Sequence, residues 1–428
     1  MKLEFPYSIE KLNGSLDFLS VPSSQSPSVT VAIFAGVGAR HESESENGIS
    51  HVIEHMAFKG TTNRPGRKNI SSEIASYGGV SNAATGYEYT YYYVKMPAYH
   101  WEKALDIVSD LTLNPLYPAE ELEKEKTVIV QEFNMYEDNP HMKLMNDFRE
   151  MVWPGHPLGR KISGVPETIL GFDKKDLHDF RAKYYTKNNL LVSISGNYDE
   201  KKAREIVSTY FSKLDENGTP HYQDASEATP SGTLKVIQRD QEAIDLMLAY
   251  KGFNRTQERE LEILGVLNTI LGNGDNSRLF QNIRDDKGLT YYIGSGHTDY
   301  MDDGLFYVRA GIAPDNLKLA LDSIQEEIVR IASTSVSNDE LAIAKEYLKG
   351  RLLMDLETSE DVLQYYAIQQ LLDPSVLSPQ EMINRIESVT AKDIQQIAQK
   401  LFADRQSYVG LIGPVKDSQI TELEQFVA

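Results

Sequence analysis

Two histidines four positions apart are the clearest chemical signal in the sequence. His51 and His55 stand in the stretch GISHVIEHMAFKGT, in a chain with only nine histidines. On a helix, residues four apart share one face, so both imidazoles can reach one cation. Glu54 would lie near the same face, where it can take a proton from a zinc-bound water. Ser50 can cap the start of such a helix and Gly60 can end it. The pattern predicts half of a zinc-hydrolase site, and an ordinary amphipathic helix is the alternative.

A catalytic zinc site needs a third protein ligand and an open fourth position. The chain has no cysteine, so any metal must be held by histidine and carboxylate. The segment 118–138 is rich in strong helix formers and offers Glu125 and Glu132, nearly two turns apart on one stripe. Glu132 interrupts the apolar run TVIVQEF, where a buried carboxylate would need a partner. From the residues alone, Glu132 is a candidate third ligand and no more.

The segments that must position these side chains show both strand and helix patterns. Runs rich in β-branched and aromatic residues predict strands, and apolar residues at helical spacing predict helices. The predicted strands cover residues 28–36, 90–96 and 190–197, and the predicted helices cover residues 100–113, 118–138 and 173–185. Consecutive helices between strands favour an α+β fold, with mostly antiparallel sheets and helices packed on one face.

The second half of the sequence repeats the first at an offset close to half of the 428 residues. Three matched pairs carry the repeat, at offsets of 216, 217 and 217: Ala104 with Ala320, Asp176 with Asp393, and Gly196 with Gly413. Each match is weak alone, and the agreement of the offsets is the evidence for two copies of one fold. We predict an N-terminal domain at 1–214, a polar linker at 215–233, and a C-terminal domain at 234–428.

Composition narrows the class of function. The net charge of −20 argues against nucleic acid as a partner, because phosphate binding needs a basic surface. No apolar run approaches the roughly 18 residues that a membrane helix needs, so no membrane insertion is expected. The N-terminal residues lack the apolar core of a signal peptide, and we expect a cytoplasmic protein.

The two metal-site stretches together resemble a known family. HVIEHMAFKGT followed by EKTVIVQEF is similar to the inverted-motif zinc peptidases of the pitrilysin/insulysin family, in particular the small-chain subfamily of mitochondrial processing peptidase and its bacterial relatives. In that subfamily 76 residues separate the second histidine from the zinc glutamate, as they separate His55 from Glu132 here. The resemblance implies one zinc ion per chain with His51, His55 and Glu132 as ligands. It also implies Glu54 as general base and Glu125 as an assisting carboxylate.

The resemblance also implies where a peptide substrate binds. The segment 78–97 is similar to the family's substrate-pairing edge strand, whose open edge would be Asn82, Ala83, Ala84 and Thr85. Phe58 matches a residue that lines a side-chain pocket in the family, although as an isolated apolar residue it would simply be core.

Further matches lie in the second half. Arg284 and Tyr291 match a pair that helps to hold substrate, while Arg284 alone would be read as a surface ion-pair partner. At the repeat offset, Glu125 and Glu132 fall on Ala342 and Lys349, so the second copy has no zinc site.

The interpretation is a zinc endopeptidase for short or unfolded peptides, with two chains forming a homodimer that encloses a chamber. Mitochondrial members carry acidic residues ten and fourteen positions after the zinc glutamate, where this chain has Met142 and Asn146, so presequence-type selectivity is not expected. Three alternatives stay open: a structural relative without catalysis, the catalytic half of a heterodimer, and a module that captures peptides without cutting them.

Overall fold

The described residues of the chain form two β-sheets, each with its own hydrophobic core. This computed structural model describes residues 5–216, 221–225, 228–403 and 406–427. Secondary structure in the first half runs β1 (Ser8–Leu12), β2 (Leu16–Pro22), β3 (Ser28–Ala35), α1 (Ile49–Ala57), α2 (Arg67–Ser76), β4 (Val80–Thr85), β5 (Thr90–Pro97), α3 (Trp101–Leu113), α4 (Ala119–Asp138), α5 (Pro140–Val152), α6 (Pro166–Gly171), α7 (Lys174–Tyr184), β6 (Leu190–Gly196) and α8 (Glu200–Tyr210). The second half runs β7 (Leu234–Gln238), β8 (Ile244–Lys251), α9 (Glu258–Leu271), β9 (Thr290–Asp299), β10 (Gly304–Ile312), α10 (Leu317–Ser333), α11 (Asn338–Met354), α12 (Ser359–Leu372), α13 (Pro379–Glu387), α14 (Ala391–Phe402), β11 (Ser407–Gly413) and α15 (Asp417–Val427). A π-helical segment, Phe280–Asp286, precedes β9, and short 3-10 turns join several elements. The three strands and three helices expected from the sequence form within one residue of their predicted ends.

Both sheets follow one topology. The first has six strands in the order β1-β2-β6-β3-β5-β4, and the second has five in the order β7-β11-β8-β10-β9. All neighbouring strands are antiparallel except β2 with β6 and β7 with β11. The second sheet thus repeats the last five strands of the first, including the position of the parallel pair. The predicted α+β fold with two similar, mostly antiparallel domains is confirmed.

Strand patterns explain which face of the first sheet carries the helices. On β5 the burial alternates, and Tyr92, Val94 and Met96 point into the core that α1 and α3 cover. Tyr91 and Tyr93, which alternate with these residues, occupy the opposite face and stack with their ring centroids 6.2 Å apart. The alternation of buried and less buried side chains along β5 therefore sets the side of the sheet on which α1, the helix with His51 and His55, lies.

One helix in each compact unit comes from the other half of the sequence. The first unit contains residues 1–135, 160–223 and 355–379, and the second contains residues 136–159, 224–354 and 380–428. Helix α12 packs in the first unit on the sheet face opposite to α3, where Ser359 Oγ lies 2.9 Å from Thr30 Oγ1. Helix α5 packs in the second unit on β11, where a Cβ at Gly410 would lie 2.7 Å from the Phe148 ring. The compact units thus differ from the contiguous domains 1–214 and 234–428 by this exchange of segments, because the free face of each sheet is covered from the other half.

Candidate metal centre

The nine-residue helix α1 holds the histidine pair. Its N-cap is Gly48, in the left-handed region at φ 94°, and a Cβ there would lie 2.7 Å from the Cα of Gly164. The expectation that Ser50 caps this helix is wrong, because Ser50 is already its second residue and its N–H is bound by another side chain. Gly60 does not end the helix either, since the helix stops at Ala57. Only glycine adopts the tight turn at residue 48 at low cost, so the N-cap is Gly48, two residues before the predicted Ser50.

Helix α4 brings a carboxylate to the two imidazoles. The Nε2 atoms of His51 and His55 lie 3.2 Å apart, and Glu132 Oε2 lies 3.8 Å from the first and 3.6 Å from the second. Ligands of a tetrahedral zinc ion, bound at about 2.0–2.2 Å, lie roughly 3.4 Å from one another. The three donor atoms therefore already have nearly the separations that one zinc ion requires. Among the described residues, these three form the single cluster of histidine and carboxylate with metal-binding spacing.

Burial keeps His51 in the state that binds metal. The pKa of His51 falls to about 4, mainly because of burial and further because of the neighbouring His55. His51 is therefore neutral at pH 7, and a neutral imidazole is the form that coordinates zinc. Two imidazoles and a carboxylate, without thiolate, also match zinc in donor chemistry.

Glu54 lies beside the metal cluster and is held from the edge strand. Thr85 Oγ1 donates a hydrogen bond of 2.8 Å to Glu54 Oε2. Burial raises the pKa of Glu54, and this rise is opposed by the Thr85 hydrogen bond and by His55. A carboxyl group with a raised pKa is a better proton acceptor in its ionised form, which suits a general base.

Lys59 also belongs to this centre, although nothing in the sequence had predicted it. Its ammonium group forms an ion pair with Glu125 Oε1, and both side chains are about nine-tenths buried. The other oxygen of Glu125 lies 3.5 Å from His55 Nδ1. Lys59 stands in the quoted stretch HMAFKGT, but an isolated lysine there gives no sign of burial until the distant carboxylate is placed. The result is a chain of contacts from Lys59 through Glu125 to His55.

The predicted substrate strand is the last strand of the first sheet. β4 pairs with β5 on one side, and the sheet order places its other side at the edge. Gly86 N–H donates to Tyr89 O, so the hairpin closes on a hydrogen-bonded pair. Because such pairs alternate along an antiparallel ladder, Ala84 points its main-chain groups at β5, while Ala83 and Thr85 point theirs outward. The geometry thus narrows the four predicted residues to two with outward backbone groups, and their binding of substrate stays a prediction.

Other predicted substrate residues lie elsewhere. Phe58 follows α1 directly and packs, partly buried, against the first core. Arg284 and Tyr291 belong to the second unit, on the π-helical segment and on β9 respectively. Both are exposed, Tyr291 to 63%, and the Arg284 guanidinium lies over the Phe280 ring at 4.6 Å. Their roles toward substrate stay predictions.

No helix among the described residues combines the length and the hydrophobicity that crossing a bilayer requires.

Two family models cover most of the chain. Residues 18–165 match the model described as Insulinase (Peptidase family M16), and residues 171–348 match the model described as Peptidase M16 inactive domain. The first match contains the histidine pair, Glu125 and Glu132, and the second contains Arg284 and Tyr291.

Relatives match along nearly their whole length. An uncharacterized zinc protease of Rickettsia felis is 34% identical, over 95% of this chain and 98% of its own. One of Bacillus subtilis is 32% identical, over 90% of this chain and 93% of its own. The fold matches a crystal structure of a protease from Helicobacter pylori with a TM-score of 0.86, at 22% identity over 96% of this chain and 99% of that one. It also matches a crystal structure of the peptidase M16 inactive domain from Pseudomonas fluorescens with a TM-score of 0.88, at 18% identity over 96% of this chain and 98% of that one. The predicted resemblance is confirmed, and the chain belongs to peptidase family M16, in which these relatives carry the name zinc protease.

Proposed function

We propose that the chain is a zinc-dependent endopeptidase that binds one zinc ion and cleaves short or unfolded peptides. The observation that carries this proposal is the meeting of His51, His55 and Glu132, whose donor atoms lie within 4.8 Å of one another. The names of the relatives support zinc as the metal.

Each residue of the centre has a distinct role in the proposed hydrolysis. His51, His55 and Glu132 would hold the zinc ion, which supplies Lewis acidity that polarises a carbonyl and acidifies water. Glu54 accepts the proton of the attacking water and later delivers it to the leaving amine, so no net proton remains on the enzyme. Thr85 holds the Glu54 carboxylate at 2.8 Å and so limits the directions from which it can take that proton.

Substrate selection rests on the extended backbone of the peptide. A peptide strand can add to the open side of β4 by main-chain hydrogen bonds, whatever its side chains. A folded substrate cannot offer such a strand, which favours short and unfolded peptides. Arg284 and Tyr291 are exposed donors that would hold carbonyl oxygens of the bound peptide.

We further propose a homodimer that encloses a chamber. The support is that one chain carries both the metal motif and the Arg284 and Tyr291 pair, so two copies supply every element without a second gene product. We also propose a cytoplasmic location, with which a chain without cysteine is compatible because it needs no oxidising compartment to form disulfides.

The central experiment is a digest of a mixed peptide library, read by mass spectrometry, with and without a chelator. Cleavage should stop on chelation and return with zinc. Glu54→Gln should retain zinc and lose activity by about 10²–10⁴-fold, because the base is gone while the ligands remain. Glu120→Gln is the matched control, as this glutamate of the same helix as Glu132 has a side chain 84% exposed and forms an ion pair with exposed Lys124. Full activity in Glu54→Gln, or cleavage that survives chelation, would contradict the proposal.

The same preparations separate the alternatives. A chain that binds no zinc and cleaves nothing would point to a structural relative. A zinc-bound chain that holds peptides uncut would point to a capture module. An inactive monomer in light scattering that gains activity with a second protein would replace the homodimer by a heterodimer.

A further inference from the structure

A buried carboxylate outside the metal cluster lies at the start of α1. Glu42 is 2% exposed and stands in the loop between β3 and α1. Its Oε2 atom accepts hydrogen bonds from the Gly48 N–H at 2.7 Å and from Asn47 Nδ2 at 3.2 Å. Its Oε1 atom accepts the Ser50 N–H at 2.9 Å. Both oxygens are therefore used as acceptors, and every one of these donors is an N–H group.

The Glu42 carboxylate accepts N–H groups at the start of α1 that an N-cap side chain would otherwise accept. The first N–H groups of a helix have no partner inside the helix, and Gly48 has no side chain to accept them. Glu42 binds the N–H of the cap and that of the second helical residue, and its negative charge faces the positive end of the helix. Burial raises the pKa of Glu42 to about 7, and the N–H donors oppose this rise. A glutamate six residues upstream thus holds the first turn of α1.

The same loop is tied to the segment that precedes α6. Arg160 Nη1 donates to the main-chain oxygen of Glu42 at 2.9 Å, and Asn47 Nδ2 donates to Lys161 O at 3.0 Å. Thr168 Oγ1 donates to Asn47 O at 2.7 Å. Glu42 and Asn47 therefore join the start of α1 to residues 160–168 of the first unit by three hydrogen bonds.

The metal ligands depend on that first turn. His51 follows Ser50 directly, and His55 lies one turn further in a helix of nine residues. Their Nε2 atoms lie 3.2 Å apart, and a metal site tolerates deviations of only a few tenths of an ångström. We propose that Glu42 is a positioning residue for the metal centre: by binding the Gly48 and Ser50 N–H groups it sets the place of the His51 imidazole relative to His55. This inference rests on the proposed zinc site.

The test is the zinc affinity of Glu42→Gln, measured by competition with a chromophoric chelator. Glutamine keeps the size of the side chain but turns one acceptor into an NH₂ group that faces an N–H donor. We expect zinc binding to weaken about 10-fold or more, as is typical when a group that orients a metal ligand is lost. At saturating zinc, kcat should fall while KM stays within about twofold, because the geometry of the metal and not peptide binding is changed.

Glu327→Gln is the control for a merely structural loss. Glu327 is a buried carboxylate in the second unit, 7% exposed, and accepts a hydrogen bond of 2.6 Å from Asn282. This variant should melt at a lower temperature and bind zinc like the wild type. A folded Glu42→Gln variant with wild-type zinc affinity would overturn the inference.

A weaker variant covers the case in which Glu42→Gln does not fold. Glu42→Asp keeps the charge but shortens the side chain by one methylene group, so that the carboxylate can no longer reach both the Gly48 and the Ser50 N–H. It should weaken zinc binding in the same direction, and unchanged affinity in this folded variant would again overturn the inference. A wild-type chain that binds no zinc would overturn both the proposed function and this inference, whereas zinc-dependent cleavage with unchanged affinity in the variants would overturn this inference alone.

Discussion

Glu125 Oε2 lies 3.5 Å from His55 Nδ1, on the ring nitrogen opposite to the one that faces His51 and Glu132. Glu125 and Glu132, both on α4, therefore approach the His55 imidazole from its two sides. Carboxylates in the Glu125 position fix the tautomer of a ligating histidine, because they accept its second N–H.

Glu125→Gln should weaken zinc binding by about 10–100-fold, because an amide orients and polarises His55 less well than a carboxylate. Glu132→Gln should weaken it further, since a ligand atom is lost. Equilibrium dialysis with metal analysis gives both values, and Glu120→Gln again serves as the exposed control on the same helix. Wild-type zinc affinity in all three variants would mean that neither Glu125 nor Glu132 contributes to metal binding.

Lys59→Met should have an effect through Glu125 alone. Methionine keeps the apolar stem but removes the charge that pairs with this buried carboxylate. An unpaired buried charge is costly, so the free energy of unfolding should fall by about 3 kcal/mol in chemical denaturation. The double variant Lys59→Met with Glu125→Gln should recover part of that loss. If the two losses add in full, the ion pair is not what stabilises this region.

The alternating direction of the main-chain N–H groups along β4 predicts that proline at Ala83 and proline at Ala84 have different effects. Ala83→Pro removes an outward N–H and leaves the ladder to β5 intact, so kcat/KM should fall about 10-fold or more with folding retained. Ala84→Pro removes a ladder hydrogen bond, so it should chiefly lower the melting temperature. Peptide kinetics alongside thermal melts distinguish the two. Wild-type kinetics in a folded Ala83→Pro variant would argue against strand pairing at this edge.

His41 should make the metal-free protein sensitive to acid. Its pKa falls from 6.5 to about 4, first through burial and then through the neighbouring Arg40. Between those values the unfolded chain binds a proton at this residue and the folded chain does not, so stability is lost as the pH falls below 6.5. From pH 7.5 to pH 5 the loss amounts to about 2 kcal/mol.

The matched variant for this effect is His41→Gln, which cannot titrate. Urea denaturation at the two pH values should show that the stability difference between wild type and variant changes in favour of the variant as the pH falls. An unchanged difference would mean that His41 titrates alike in the folded and unfolded chains.

The sequence by itself predicted the elements that carry the site, because the periodicity of apolar residues is a local property. The helix with His51 and His55, the strand that contains Tyr91 and the long helix of Glu132 all form where their patterns lie. The offset between matched residues indicated the repeat, and both sheets have the strand order of one fold.

Tertiary structure alone decided how these elements meet. Glu125 and Glu132 share one stripe of α4, and only the packing of α4 against α1 places one on each side of the His55 ring. The partners of Lys59 and Glu42 could not be predicted from the sequence either. Lys59 is buried against Glu125, which lies far along the chain, and Glu42 accepts the N–H of Gly48 in a turn that requires glycine. Local pattern determines which element forms, but the rotation and register of one element against another are set by the packing of the core as a whole, and that information is spread over the chain.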